Sequence, residues 1–238
     1  PKEINDFDQQ GVTSFHSSEE RWDNPLRLEN ISGKQLDDLR FGWDLVLDID
    51  CALFEYSKIC AELVIQFLRS RGVRDLSCKF SGNKGFHIGI PFEAFPSTVG
   101  GKDIRTLFPE APRRIAHYVK ENIKVELGKR ILEYEKNDFG TVKDKTGKEE
   151  IVSYQRNEFG DKIAYLNVEP FLVIDTILLA TRHLYRAPYS LHEKSGLVSI
   201  PIDPEKIQSF HKEDARPGCP LSHHIFLDRN VSGPSATQ

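Results

Sequence analysis

The stretch Trp43-Asp44-Leu45-Val46-Leu47-Asp48-Ile49-Asp50 decides the fold class of this sequence. Its apolar residues predict a buried strand that ends in two carboxylates. Apolar side chains from Tyr56 to Leu68 then recur at helical spacing, and Gly72 is a suitable residue to end that helix. Leu76 to Phe80 and Phe86 to Pro91 predict two more strands, joined by a short loop with two glycines. The order strand, helix, strand, strand predicts a mixed α/β (α+β) domain.

The remaining chain continues this domain. Pro112 is predicted as the first residue of a long helix that reaches about Tyr134. Residues 136–165, which are charged and interrupted by glycines, are interpreted as an exposed hairpin or insertion. Pro170 to Arg186 predicts a helix or a strand-helix unit, and Leu197 to Ile202 a strand. The Gly-, Pro- and Ser-rich residues 216–238 predict a loose tail, so the expected organisation is one domain over residues 1–238.

Composition excludes several classes of protein. The 238 residues are 39% hydrophobic and 29% charged, which suits a soluble globular domain with a buried core. The sequence contains neither a run of 18 apolar residues nor a signal-peptide pattern at its start, so we expect a cytoplasmic or nuclear protein that is not secreted. The four cysteines form no C-x-x-C pair, which argues against a disulfide scaffold and a zinc knuckle.

Asp48 and Asp50 are the first candidate site. Residues i and i+2 of a strand point to the same face, so both carboxylates project together at the strand end. Hard oxygen ligands of this kind favour Mg²⁺ or Mn²⁺. The alternative interpretation is two surface acids with no ligand.

The loop Ser81-Gly82-Asn83-Lys84-Gly85-Phe86-His87 is the second candidate site. Glycines let a backbone approach a ligand closely, and exposed backbone N–H groups can bind phosphate oxygens. Ser81 supplies a hydroxyl, Lys84 a positive charge and His87 a further donor. The alternative is an ordinary hairpin loop with a structural histidine.

The third candidate site joins Asp175 to a basic stretch downstream. Asp175 lies in a segment that is otherwise apolar, where a carboxylate is costly to ionise unless it is paired or bound to metal. Arg186 and His192 flank a proline turn and could converge on an anion. An acid at a helix start followed by a solvated basic loop is the alternative.

Together, these motifs resemble the small catalytic subunit of archaeal and eukaryotic DNA primases and the related primase-polymerases. An apolar strand ending in Asp-x-Asp, a Ser-Gly-x-x-Gly-x-His loop and a late Asp followed by Pro-x-Ser-x-His-x-Lys-x-Gly occur in the family's order. The similarity covers about residues 43 to 202. Upstream, His16 stands where a tyrosine near the incoming sugar is common in the family.

The resemblance implies a fold, a reaction and residue roles. The fold is an RRM-like catalytic core packed with a second α/β half, and the reaction is template-directed joining of nucleoside triphosphates with two Mg²⁺ or Mn²⁺ ions. It implies Asp48, Asp50 and Asp175 as the catalytic metal ligands, with Glu169 as a competitor for the third position. The residues that it implies as triphosphate contacts are Ser81, Lys84, His87, Arg186 and His192.

The implied partners are nucleoside triphosphates and a single-stranded DNA template with its primer, and a helical accessory subunit or domain stays open. The net charge of -4 requires a localised basic groove for nucleic acid. Residues 90–170 contain no cysteine, so no structural zinc is expected. This departure favours a stand-alone, mobile-element or defence-associated enzyme over a replicative subunit.

Two further functions compete with this interpretation. Asp48 and Asp50 also resemble the nucleophile motif of haloacid-dehalogenase-type phosphatases, in which Asp48 would form a covalent intermediate and Asp50 would act as general acid and base. That family leaves His87 and His192 unexplained. The other alternative is a non-catalytic nucleotide- or nucleic-acid-binding module.

Overall fold

The computed structural model describes residues 2–30, 34–156, 158–176 and 184–231. The helices in these ranges are α1 (Lys2–Gln9), α2 (Lys34–Leu39), α3 (Phe54–Ser70), α4 (Glu110–Tyr134) and α5 (Phe139–Thr146). The strands are β1 (His16–Ser18), β2 (Glu20–Trp22), β3 (Arg40–Trp43), β4 (Leu45–Cys51), β5 (Ser77–Phe80), β6 (Phe86–Ile90), β7 (Thr98–Val99), β8 (Lys102–Asp103), β9 (Val152–Arg156), β10 (Lys162–Leu166), β11 (Leu172–Thr176), β12 (Leu184–Arg186) and β13 (Pro201–Ile202).

A five-stranded antiparallel sheet with the order β11-β4-β6-β5-β13 forms the centre of the fold. The chain order of its first four strands and two helices is β4-α3-β5-β6-α4-β11. This is a pair of split β-α-β units, the topology of ferredoxin-like and RRM-like domains. The predicted α+β class with an RRM-like core is therefore confirmed, and β13 extends the sheet at one edge.

Strand β4 lies inside the sheet because nearly all its side chains are apolar. Leu45, Leu47 and Ile49 are buried on the side that α3 covers, whereas Val46 is buried on the other side. The predicted helix after β4 is confirmed as α3, and Gly72 just beyond it has a φ of 85°, a backbone conformation that glycine adopts without strain.

Helix α4 packs on α3 and on β11. It begins at Glu110, so Pro112 is its third residue and the prediction of Pro112 as the first residue was wrong by two positions. Gly128 allows a close approach to β10, because a Cβ at this position would lie 2.4 Å from the Leu166 carbonyl oxygen.

Three segments agree only in part with the sequence-based prediction. Within residues 136–165, helix α5 precedes the β9–β10 hairpin, and Val142 and Ile151 are buried in the core. In the segment 170–186, the described residues form β11 and β12, and residues 177–183 lie outside the described ranges. Only Pro201–Ile202 of the predicted strand from Leu197 is paired in the sheet.

The segment 216–231 packs against the domain, although a loose tail is predicted there. Phe226 and Leu227 form a second small core with Val46 and Tyr185. Farther along, Arg229 donates to both carboxylate oxygens of Asp44, with an Nη2–Oδ2 distance of 2.7 Å. Apolar burial and this ion pair attach the segment to the sheet.

The cysteines lie mostly in the core. Cys51, Cys60 and Cys78 are buried in core elements and Cys219 is half-buried, all as free thiols. Within the parts of the chain that the structure describes, no helix is both long enough and apolar enough to cross a membrane.

Candidate active site

The candidate site is built on one row of residues that runs across the central sheet. Asp48 in β4 lies directly opposite His87 in β6, and His87 lies opposite Lys79 in β5. On the other side of β4, position 175 in β11 lies directly opposite Asp48. Residues paired in this way share a face of the sheet, so strand register brings three separate sequence segments to one surface.

The two carboxylates of β4 differ in their exposure. Asp50 is exposed and the Asp48 side chain is 37% exposed, whereas Ile49 between them is buried in the core. The Nε2 atom of His87 lies 3.4 Å from Oδ1 of Asp48. Both aspartates thus reach the solvent-facing side of the sheet next to a histidine.

The glycine loop, residues 81–85, lies against β4 because its glycines lack side chains. A Cβ at Gly85 would lie 2.3 Å from the Ile49 carbonyl oxygen, and a Cβ at Gly82 would lie 2.9 Å from the His192 Cβ. Gly82 also has a φ of 101°, which favours glycine. The loop therefore sits between the Asp48–Asp50 strand and the His192 segment.

Arg186 and His192 lie on a segment that folds back over the sheet. Arg186 in β12 pairs with His16 in β1, and its guanidinium donates to the Leu191 carbonyl oxygen at 2.7 Å and to the exposed Glu193 carboxylate at 2.9 Å. Partial burial, followed by the charge of Arg186, lowers the pKa of His192 below its ordinary value. His192 is therefore neutral at pH 7.

All seven predicted site residues with described side chains line one cavity of about 290 Å³. They are Asp48, Asp50, Ser81, Lys84, His87, Arg186 and His192. His16, which stands where the resembled family commonly has a tyrosine, lines the same cavity. Two cations, Lys84 and Arg186, thus line the same cavity as two carboxylates. The charges of these four groups balance, whereas the whole chain has a net negative charge.

His87 is electrostatically unusual among these residues. Burial, with further contributions from the charges of Lys79 and Arg186, holds the pKa of His87 well below its ordinary value. Its imidazole is therefore neutral at physiological pH. Its Nδ1 is buried and has no hydrogen-bond partner among the described residues, and buried polar atoms without partners are rare away from ligand sites.

Glu169 lies outside this cavity. Its carboxylate pairs with Lys120 of α4 at 2.8 Å and is 46% exposed. Position 175 instead lies opposite Asp48 in the ladder. Among the side chains that the structure describes, no three His, Cys, Asp or Glu groups form a metal site, and the side chain of Asp175 is outside that description.

Lys79 is not among the predicted site residues, and it is completely buried beneath the site. Its Nζ donates to the Ser199 hydroxyl at 2.9 Å. A signal was present, since a lysine inside the apolar strand Leu76 to Phe80 must either turn to solvent or be buried with a partner. In the sheet it pairs with His87, one of the predicted site residues.

Comparison with known proteins gives an independent result. A family model described as DNA primase small subunit matches residues 46–204. An uncharacterized protein of Methanocaldococcus jannaschii is 43% identical over 61 residues, a stretch that covers 25% of this chain and 14% of that protein. The chain therefore spans only a small part of the curated relative that it matches.

Proposed function

The chain belongs to the DNA primase small-subunit family, and we propose that it is a template-directed nucleotidyltransferase that joins nucleoside triphosphates along a single-stranded DNA template. Membership implies a primase-type nucleotidyltransferase, with nucleotides and DNA as substrates, at the level of the family. The observation that carries the proposal for this chain is the cavity lined by all seven predicted site residues whose side chains the structure describes.

The donor set at the cavity fits divalent cations. Asp48 and Asp50 are hard oxygen ligands on one face of β4, partly exposed and next to a neutral histidine. We assign these two carboxylates, with Asp175, to Mg²⁺ or Mn²⁺. When bound, a pair of such ions supplies charge stabilisation at the reacting phosphate and lowers the pKa of an attacking hydroxyl.

The residues of the chain that face these carboxylates would hold the triphosphate. Lys84 and Arg186 supply positive charge, and Ser81 and the neutral His192 supply polar contacts in the same cavity. The backbone of the glycine loop approaches β4 closely enough to set a phosphate beside Asp48 and Asp50. Positioning by these groups would account for much of the rate, because phosphoryl transfer depends mainly on orientation and electrostatics.

No structural zinc is part of this proposal. The set of cysteine and histidine residues that comes closest to a zinc motif in the sequence is Cys219, His223 and His224. These residues supply too few donors for a tetrahedral zinc site. Protein purified without added metal should contain well below one equivalent of zinc, and a chelator should leave its thermal unfolding unchanged. One equivalent of tightly bound zinc would contradict this part of the proposal.

The decisive experiment compares primer extension with phosphate-ester hydrolysis on the same preparations. Wild type should extend a primed template with Mn²⁺ and labelled nucleotides, and Asp48→Asn and Asp50→Asn should lose roughly a hundredfold or more of that activity. Asp144→Asn, at an exposed position of α5, is the matched control and should retain full activity. Full extension by the Asp48 and Asp50 variants would end the proposal, and ester hydrolysis that depends on Asp48 would favour a phosphatase.

A further inference from the structure

Lys79 is completely buried, although lysine is almost never fully buried in proteins unless it is paired. It lies opposite His87 in the sheet, and the strand of His87 lies between its own strand and that of Asp48. Burial lowers the pKa of Lys79 to about 7, and the charge of Asp48 partly offsets that effect. An apolar side chain of similar size would avoid the cost of removing an ammonium group from water. The contacts of the ammonium must therefore explain why a lysine is here.

The ammonium binds a hydroxyl and two aromatic rings. Its Nζ donates to Ser199 Oγ at 2.9 Å, and it lies 5.8 Å from the ring centre of Tyr185 and 5.3 Å from that of Phe226. The Ser199 hydroxyl donates its own hydrogen to the Phe80 carbonyl oxygen at 2.9 Å. Ser199 Oγ therefore accepts from Lys79, and two consecutive residues of β5 hold it.

Ser199 also holds the turn between Arg186 and His192. Its carbonyl oxygen accepts from the Tyr189 N–H at 2.6 Å, and its own N–H donates to the Ser190 carbonyl oxygen at 2.9 Å. Tyr189 has a φ of 66°, a conformation that costs free energy for a side chain of this size and that persists only when its surroundings fix it. The backbone of Ser199 provides that support.

The same turn is held on its other side by the N-terminal segment. Ser190 Oγ accepts from the Phe15 N–H at 2.9 Å and donates to the Phe15 carbonyl oxygen at 3.0 Å. The Ala187 N–H also donates to that carbonyl oxygen, at 2.9 Å. Further along the chain, the Ser222 N–H donates to the Tyr189 hydroxyl at 3.1 Å. Several segments thus hold the turn, and the contact through Ser199 leads to the strand next to the Asp48–His87 pair.

We propose that Lys79 is a positioning residue that, through Ser199, fixes the segment carrying Arg186 and His192 relative to the strands carrying Asp48 and His87. This inference rests on the proposed function, which assigns Arg186 and His192 to the nucleotide and Asp48 to the metal ions. Displacement of about 1 Å between them would lower the rate by on the order of a hundredfold, because the triphosphate would no longer meet the carboxylates in line.

The test is a kinetic comparison of Lys79→Met, Ser199→Ala and the double variant with wild type. Methionine fills a similar volume without a charge, so the thermal midpoint of Lys79→Met should be unchanged or higher. We expect its KM for the nucleotide to rise and its kcat/KM to fall by about ten- to a hundredfold. Ser199→Ala should show a smaller loss in the same direction, and the double variant should be no worse than Lys79→Met, because both changes break one connection.

Lys58 provides the matched control, since it is also buried but lies on α3, on the other side of the sheet. Its Nζ donates to the Gln208 carbonyl oxygen at 3.2 Å. Lys58→Met should leave the nucleotide KM unchanged. Affinity for a fluorescent nucleoside triphosphate, measured with Mn²⁺, should fall in Lys79→Met and not in Lys58→Met.

The Mn²⁺ concentration that gives half-maximal rate separates positioning from a purely electrostatic role. It should be unchanged in Lys79→Met if the lysine acts through Ser199. A lower value with an unchanged nucleotide KM would mean that the lysine acts only through its charge on Asp48, and the inference would be wrong. Active wild type with equally active Lys79→Met would overturn this inference alone, whereas wild type that neither adds nor binds nucleotides would overturn the proposed function with it.

Discussion

His87 Nε2 lies 3.4 Å from Asp48 Oδ1, and the two residues are direct partners in neighbouring strands of the central sheet. Strand pairing fixes this distance, so the imidazole can orient the carboxylate without any loop having to close. The pKa of His87 is held well below its ordinary value by burial first and by the charges of Lys79 and Arg186 second. The histidine therefore acts near neutral pH as an uncharged polar group.

A substitution pair tests whether this polar contact matters. His87→Leu removes the ring nitrogens, and we expect nucleotide addition to fall by about ten- to a hundredfold, as for the loss of a hydrogen bond to a charged group. His87→Gln keeps an N–H donor of comparable reach and should lose less than about tenfold. Primer-extension rates at saturating Mn²⁺ measure both effects. Wild-type rates in His87→Leu would show that the contact has no part in the reaction.

Lys84 and His192, which line the same cavity, should both bind the triphosphate. Alanine at either position should weaken nucleotide affinity by about 1.5–3 kcal/mol, the range for a lost charge-assisted hydrogen bond. Titration with a nucleoside triphosphate in the presence of Ca²⁺ measures this without turnover. Lys102→Ala, at an exposed lysine of β8, is the control for a lost surface charge. Unchanged affinity in both site variants would remove these residues from the site.

The sequence predicted the elements that depend on local patterns and missed those that depend on tertiary contacts. Strand β4 and helix α3 follow from apolar spacing alone. Helix α4 begins two residues before Pro112, the predicted start. The N–H groups throughout the first turn of a helix have no intrahelical partner, so a proline is tolerated there at positions beyond the first. Phe226 and Leu227 were assigned to a loose tail because nothing nearby in sequence indicates that Val46 and Tyr185 cover them.

The candidate site was predictable in its members but not in its arrangement. Asp48 and Asp50 are two residues apart in one strand, so their shared face follows from the sequence. The placement of position 175 opposite Asp48 depends on the register of β11, which no local pattern fixes. Lys79 escaped prediction for a similar reason, since its partner Ser199 belongs to a distant segment.

The stability of the fold should depend on the protonation of Glu19, which is buried beside Glu20 and Asp44. Burial first, and then the charges of those two acids, raises the pKa of Glu19 to about 9. The folded state therefore keeps a proton that the unfolded state loses above about pH 4.5, so stability decreases as the pH rises from 4.5 to 9.

Glu19→Gln mimics the protonated acid and should unfold at a higher temperature than wild type at pH 8, by about 2–4 °C for each kcal/mol regained. The two proteins should converge near pH 4.5. Glu20→Gln is the contrasting variant, because Glu20 pairs with Arg40 at 2.7 Å and both side chains are buried. It should lower the unfolding temperature at pH 8. Parallel pH profiles for wild type and Glu19→Gln would show that Glu19 is ionised in the folded protein.

Asp175 and Glu169 are the two candidates for the third metal ligand. Position 175 faces Asp48 across the β4–β11 ladder, and directly opposed residues of an antiparallel pair have Cβ atoms about 4.5–5.5 Å apart. Carboxylates at this spacing repel each other unless a cation lies between them. Glu169 instead has a partner of its own in Lys120.

Asp175→Asn should therefore lower nucleotide addition by roughly a hundredfold or more and raise the Mn²⁺ concentration needed for half-maximal rate, because one charged ligand is lost where charge develops in the transition state. Its thermal midpoint without metal should hold or rise, since a repulsive charge has been removed.

Glu169→Gln breaks only a partly exposed ion pair, which contributes about 0–1 kcal/mol, so its activity should stay within about twofold of wild type. Extension rates over an Mn²⁺ series on both variants make the comparison. If Glu169→Gln loses activity and Asp175→Asn does not, the third ligand moves to Glu169 while Asp48 and Asp50 keep their roles. If neither variant loses activity, the cations are held by the two β4 aspartates without a third acid.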